Sequence, residues 1–268
     1  MEEKFSRLKE ILNGMGRVLI AYSGGVDSTF LLKVSHDLLN DNVLAVTAYS
    51  NTYPKRELNE ACEMAKKIGV KHVIIESKEL DIKEFKNNPP DRCYYCKKEL
   101  FLKLSKIAKE YDFNYILDGS NYDDKDDYRP GRSASKEFNI ISPLEEVELT
   151  KDEIRTLSRK LKLPTWDKQP FACLSSRFPY GEEITENKLK KVEMAEEYLN
   201  SVGFKIYRVR NHGDIVRIEV SKSDIGLILE LSDKIIKKFK DIGYKYITLD
   251  LEGYRTGSMN EILNREVL

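Results

Sequence analysis

Two cysteines, Cys93 and Cys96, lie two residues apart in the stretch DRCYYCKK, directly after a proline pair. Thiols at this spacing can bond to each other, share a metal, or act as a redox pair. Zinc takes four ligands, and no fourth Cys or His lies nearby in the sequence. Cys173, in ACLSSR, and Cys62, in LNEACEMAKKI, complete the set of four. Cys62 has apolar neighbours at helical spacing, so the expectation is a small buried core residue. His36, His72 and His212 show no metal-ligand spacing and are expected to be structural.

A second stretch, AYSGGVDSTF (21–30), carries a different chemistry. Gly24 and Gly25 stand between an apolar run and an amphipathic one, so their backbone N–H groups can face an anion. The positive end of the following helix adds to that attraction. Ser23 and Ser28 offer hydroxyl donors, and Asp27 can help hold Mg²⁺ beside bound phosphates. The G-x-x-x-x-G-K-[ST] pattern of the P-loop is absent, so no lysine within this loop reaches toward the terminal phosphates.

Hydrophobic periodicity predicts the elements that must position these residues. Strands are expected at 17–22, 42–48, 71–77 and 115–119. Helices are expected from Asp27 to Leu39, from Pro54 to Ile68 and over 97–111, the last following a cysteine loop. Alternation of this kind predicts an α/β fold, a doubly wound parallel sheet whose ligands bind at the carboxyl ends of its strands. The polar stretch 120–135 is expected to be a loop, with its acidic part, 123–127, solvated. Thr150 and Glu153 form a capping-box pattern before IRTLSRKLKL, a helix stopped by Pro164. A turn-rich connector follows. A smaller C-terminal α+β domain then takes shape, with a helix at 185–201, strands at 204–210 and 214–220, a helix at 222–240 and a strand at 244–250. The domains are expected at 1–168 and 169–268.

The bulk composition fits this picture. The chain has 268 residues, 34% of them charged and 41% hydrophobic, enough for a substantial core. Lys+Arg and Asp+Glu number 45 each, and this balance argues against a dedicated nucleic-acid binder. No run approaches the ~18 apolar residues of a membrane span, and the stretch MEEKFSRLKEIL has no apolar signal core. The expected location is cytoplasmic, with no membrane partner.

The S-G-G-V-D-S loop resembles the PP-loop of the N-type ATP pyrophosphatases, which have the adenine nucleotide alpha hydrolase-like fold. Four more segments resemble the LarE family of ATP-dependent sulfur transferases: ILDGSNYDDKDDYRPG (116–131), ACLSSRFPYGEEIT (172–185), YRVRNHGDIVRIEV (207–220) and YITLDLEGYRTGSMN (246–260). This resemblance implies an enzyme that uses ATP and Mg²⁺ to adenylate a carboxylate of pyridinium biscarboxylic acid mononucleotide, the nickel-pincer cofactor precursor. Sulfur then displaces AMP and gives a thiocarboxylate. It implies ATP-binding roles for Ala21, Ser23, Gly24, Gly25, Asp27, Ser28, Asp118 and Gly119. Arg208 and Arg210 match an R-x-R pair for substrate phosphate, and Arg177 adds positive charge. Glu196 matches a carboxylate near the sulfur site, and Cys173 matches the sulfur-bearing cysteine. The catalytic set so implied is Cys173, Asp27 and Glu196, in a homo-oligomer, possibly a hexamer, built through the C-terminal domain.

For the cysteines the resemblance implies a branch with a [4Fe–4S] cluster held by Cys93, Cys96 and Cys173. Its fourth iron is left open for sulfide from a separate donor. Structural zinc, a persulfide or redox relay, and a sacrificial Cys173 remain alternatives. Two other functions stay in view: a PP-loop tRNA thiolase, and a non-catalytic carrier of sulfide or a cluster.

Overall fold

The computed structural model describes residues 1–125, 130–170 and 172–263; the expected acidic loop 123–127 lies partly outside them. The chain divides into two compact units, Met1–Phe85 with Asp91–Phe171, and Lys86–Pro90 with Ala172–Leu268.

The first unit runs α1 (Glu2–Met15), β1 (Val18–Ala21), α2 (Val26–Leu39), β2 (Val43–Tyr49), α3 (Lys55–Ile68), β3 (Lys71–Glu76), a short α4 (Lys83–Lys86, whose last residue falls in the second unit), α5 (Arg92–Glu110), β4 (Tyr115–Leu117), α6 (Gly131–Glu137), α7 (Pro143–Glu146) and α8 (Lys151–Lys160). The four strands form one parallel sheet in the order β3-β2-β1-β4. Both faces of the central strands are covered, which is why VLIA and VLAVTAY are nearly continuous apolar runs. Side chains alternate along a strand, so Val18, Ile20, Val43 and Ala45 pack with Leu8, Leu12, Phe30, Ala65 and Ile154 of α1, α2, α3 and α8. Leu19, Leu44 and Val46 turn the other way, onto Phe101, Leu104 and Ala108 of α5 and Ala134 of α6. Each fully buried aliphatic or Phe side chain contributes about 1.5–3 kcal/mol relative to exposure. The doubly wound parallel sheet is therefore the observed fold.

The second unit holds α9 (Glu186–Ser201), β5 (Tyr207–His212), β6 (Ile215–Val220), α10 (Ile225–Glu230), α11 (Ser232–Ile242) and β7 (Tyr246–Leu249). Its three-stranded sheet is mixed. β5 pairs antiparallel with β6, and β6 pairs parallel with β7. Residues 86–90 join it through Asn88, whose amide donates to the carbonyls of Phe178 (3.3 Å) and Pro179 (2.6 Å).

Three local expectations change. The cysteine pair is not in a loop, because α5 begins at Arg92 with Asp91 as N-cap. The two prolines stand before the cap, so neither removes an intrahelical hydrogen bond. Part of the polar stretch 120–135 is helical: α6 packs its small residues Gly131 and Ala134 against α5, and polarity alone concealed this. The expected helix 222–240 is broken at Leu231, where Ser232 and Asp233 open a new first turn. Among the described residues, no helix is long and apolar enough to cross a membrane.

Candidate active site

The glycine loop sits at the carboxyl end of β1. Gly24 has φ +66°, and a Cβ there would stand 2.7 Å from the Ala61 Cβ of α3, so only glycine fits. Gly25 is the N-cap of α2 and brings no side-chain cap, which leaves the helix start without a side-chain acceptor. The Ser23 and Ser28 hydroxyls are 3.0 Å apart, and the Ser23 amide donates to Ser28 Oγ at 3.3 Å. Asp27, in the first turn, meets Lys151 Nζ at 2.5 Å through Oδ2, while its Oδ1 is buried without a hydrogen-bond partner. Such an orphaned carboxylate oxygen suits a hard cation such as Mg²⁺.

Other loops at this end of the sheet close around the glycine loop. Tyr53, after β2, donates its hydroxyl to the Ser23 carbonyl at 2.7 Å. Lys168 Nζ donates to the Gly24 carbonyl at 3.3 Å and pairs with Glu57 (2.8 Å) and Glu60 (2.7 Å) of α3. At the end of β4, a Cβ on Gly119 would meet the Ser28 amide nitrogen at 2.9 Å, so Asp118 and Gly119 abut the start of α2. Asp118 is buried and accepts from Ser142 Oγ (2.7 Å), the Ser120 amide (3.1 Å) and Ser120 Oγ (3.1 Å). Lys97 Nζ lies 3.6 Å from its second oxygen. Burial pushes the Tyr22 phenol, next to Ser23, up to about 12, despite its hydrogen bond with Thr29. The structure thus brings Ala21, Ser23, Gly24, Gly25, Asp27, Ser28, Asp118 and Gly119 to one end of the sheet.

Cys93 and Cys96 occupy positions i and i+3 near the start of α5, one exposed and one half-buried. That spacing puts both thiols on one face of the helix. None of the four cysteines is in a disulfide. Among the described residues, no three His, Cys, Asp or Glu side chains gather as a metal-binding group. Cys62 is half-buried rather than fully buried.

In the second unit, Arg177 is 2% exposed and is gripped on every nitrogen. Nε and Nη2 bond the two oxygens of Glu196 at 2.8 and 2.9 Å. Nη1 donates to the Ala172 carbonyl (2.7 Å), the Cys173 carbonyl (3.0 Å) and Ser176 Oγ (2.8 Å). Glu196 also accepts from the Val209 amide at 3.0 Å. Burial alone would raise the Glu196 carboxyl and lower the Arg177 guanidinium. Their mutual attraction outweighs it, so Glu196 lies below the ordinary carboxylate value and Arg177 above its own.

Arg210 Nη2 bonds Glu219 (2.7 Å) and Ser258 Oγ (3.0 Å), and Nη1 bonds the Ser176 carbonyl (3.1 Å). Its buried Nε has no partner. Arg208 lies over the Tyr254 ring at 4.9 Å. Burial, then Arg177, then Arg210 lower its pKa, although Glu196 and Tyr254 oppose the shift. Arg177 and Arg210, which repel Arg208, are each paired with a carboxylate, Glu196 and Glu219.

Sequence reasoning missed Tyr53, Lys151, Lys168 and Ser142 around the glycine loop, and Glu219, Tyr254 and Ser258 around the arginines. One signal was available, since Lys151 follows the capping-box Thr150. Arg208 and Glu219 are directly paired across β5 and β6, yet Glu219 bonds Arg210, so register alone would have misassigned it.

The NAD synthase family model matches residues 3–98, which contain the glycine loop and the cysteine pair. An uncharacterized protein of Synechocystis sp. is 43% identical, covering 99% of this chain and 100% of its own length. An uncharacterized protein of Methanocaldococcus jannaschii is 34% identical over 96% of this chain and 94% of its own. The pyridinium-3,5-bisthiocarboxylic acid mononucleotide synthase of Lactiplantibacillus plantarum is 39% identical, over 99% of this chain and 96% of its own length. Likeness over both units, with a nucleotide-type glycine loop in the first, shows that the chain belongs to the protein family of that synthase, within the PP-loop ATP pyrophosphatases.

Proposed function

We propose that this chain is an ATP-dependent sulfurtransferase acting on a carboxylate of pyridinium biscarboxylic acid mononucleotide. The observation that carries the proposal is end-to-end similarity, at 39% identity, to a protein named for making the bisthiocarboxylic acid mononucleotide. Zero net charge weighs against the tRNA-thiolase reading.

A carboxylate is a poor electrophile. Its oxygen attacks the α-phosphorus of ATP, an O–P bond forms and pyrophosphate leaves. The sulfur nucleophile then bonds to the carbonyl carbon, the C–O bond to AMP breaks, and thiocarboxylate and AMP depart. The uncapped start of α2, with Ser23 and Ser28, holds the phosphates. Asp27 presents its orphaned oxygen to Mg²⁺, which neutralises phosphate charge when bound. Arg208 and Arg210 take the substrate phosphate. Arg177 and Glu196 hold the backbone at Cys173, and Glu196 acts through that pairing.

Cys93, Cys96 and Cys173 are proposed as the three ligands of a [4Fe–4S] cluster; the i,i+3 spacing of the first two supports this reading. Such a cluster supplies an open iron that can carry sulfide. A homo-oligomer built through the second unit would cover exposed apolar residues, among them Leu229, Tyr246 and Leu251.

The test is pyrophosphate release and thiocarboxylate formation, with iron and acid-labile sulfide counted after anaerobic purification. Ser23→Ala and Asp27→Asn are expected to lose both products. Cys173→Ala is expected to keep pyrophosphate release and lose sulfur insertion, along with the roughly four irons of a full cluster. Thiocarboxylate formation unchanged in all three variants would overturn the proposal. Wild type without iron after reconstitution would overturn the cluster alone.

A further inference from the structure

Both carbonyls in the glycine turn are held by side chains. Ser23 C=O accepts from the Tyr53 hydroxyl at 2.7 Å, and Gly24 C=O accepts from Lys168 Nζ at 3.3 Å. The described peptide bonds are all trans. In a trans peptide the C=O of one residue and the N–H of the next lie in one plane and point opposite ways. Fixing Ser23 C=O therefore fixes the direction of Gly24 N–H, and fixing Gly24 C=O fixes that of Gly25 N–H. We propose that Tyr53 and Lys168 are positioning residues that turn these two amides toward the nucleotide phosphates; this rests on the ATP-binding reading above.

Each donor is itself held. Tyr53 closes a turn onto Ser50 through its amide (3.0 Å). The Ser50 and Thr52 hydroxyls both donate to Oε1 of Glu79, a carboxylate only 2% exposed at the end of β3. Loops from three adjacent strands are thus linked in series: Glu79 to Ser50 and Thr52, then Tyr53, then Ser23. Burial, and then Glu57, raise the Tyr53 phenol above its ordinary value, so the hydroxyl keeps its proton and remains a donor. On the other side, Glu57 and Glu60 hold the Lys168 ammonium, and Arg155 donates to the carbonyls of Trp166 (2.7 Å) and Lys168 (2.9 Å).

An orienting role predicts a selective loss. Gly24 and Gly25 amides face phosphate, so ATP should feel the change while the nucleoside portion should not. The neutral Tyr53 hydrogen bond corresponds to about two- to tenfold in affinity. The experiment measures dissociation constants of MgATP and adenosine by calorimetric titration and competition, for wild type, Tyr53→Phe, Lys168→Met and the double variant. Tyr53→Phe removes one oxygen and keeps the ring, so it is the variant best able to fold.

The expected result is weaker MgATP binding in both single variants, a larger loss in the double variant, and adenosine affinity unchanged throughout. Equal MgATP affinity in Tyr53→Phe and wild type overturns the inference. Parallel losses for ATP and adenosine also overturn it, since they mark general loosening of the fold. A wild-type chain that binds no MgATP refutes the nucleotide reading itself and takes this inference with it.

Discussion

Replacing Glu196 with alanine removes both partners of the Arg177 Nε and Nη2 groups, and the acceptor of the Val209 amide, from a nearly water-free site. Removing one member of a buried ion pair costs about 3–5 kcal/mol, because the survivor stays charged and uncompensated. At ~2–4 °C per kcal/mol for a chain of this size, the melting temperature should fall by about 6–20 °C. Differential scanning calorimetry of the full chain measures it. Arg177→Met/Glu196→Leu should recover part of the loss, since apolar groups of similar volume remove the charge and its penalty together but leave the Val209 amide and the Ala172 and Cys173 carbonyls without these partners. The pH dependence follows from the depressed Glu196 carboxyl. Its stabilisation is complete above the unfolded value of about 4.3 and is lost as pH falls through the lower folded value. Wild type should show that acid loss, and Glu196→Gln should lack it. A Glu196→Ala protein melting within about 2 °C of wild type would refute the ion-pair argument.

Gly24→Ala should cost about 1–2 kcal/mol for its left-handed backbone and about 1–3 more for the collision with Ala61, and it should abolish MgATP binding. Thermal melting and ATP titration check both parts, and a variant as stable and as tight as wild type refutes the glycine argument. Thr150→Ala should cost about 1 kcal/mol in urea unfolding, because α8 loses its capping box. Glu153, in the same box, has a pKa of about 2: burial opposes the shift, but the Thr150 amide, Lys4 and the N-terminal amine outweigh it. Its stabilisation is present above about 4.3 and disappears between there and about 2, so Glu153→Gln should flatten the unfolding free energy over that range.

The sheet was legible because a parallel strand buried on both faces must be apolar at nearly every position, as VLIA and VLAVTAY are. The glycine loop was legible because its chemistry is local, set by the turn between β1 and α2 and the first residues of that helix. The start of α5 is less legible, because a cysteine pair after two prolines also fits a ligand loop, although nothing after the prolines interrupts a helix. Helix α6 was hidden by polarity, because what it buries is chiefly glycine and alanine. Residues 86–90 joining the second unit left no trace in periodicity, since they are held by single hydrogen bonds between residues far apart in the chain: the Asn88 amide to Phe178 and Pro179, and the Gly181 and Ile184 amides to the Asn88 and Lys86 carbonyls.

The same distinction separates ligand-facing residues from those that hold them. A group proposed to meet a ligand is marked by its type and local pattern, whether Ser23, Asp27 or the Arg208/Arg210 pair. Its support is chosen by three-dimensional proximity, so it stands anywhere in the chain. Tyr53 lies 30 residues from the carbonyl it holds, and Lys168 lies 144 residues away. Glu219 fastens Arg210 across a strand pair in which it directly faces Arg208. The two units nevertheless solve one physical problem in two ways. In the first, neutral and charged donors hold the carbonyls of the glycine turn and so fix its peptide planes. In the second, buried carboxylates fix guanidinium groups. Both arrangements end on carboxylates, because Glu57 and Glu60 hold Lys168, and the Ser50 and Thr52 hydroxyls donate to Glu79. Against its own burial, Glu196 is held below the ordinary carboxylate range by Arg177, so this ion pair keeps its charge well into acid.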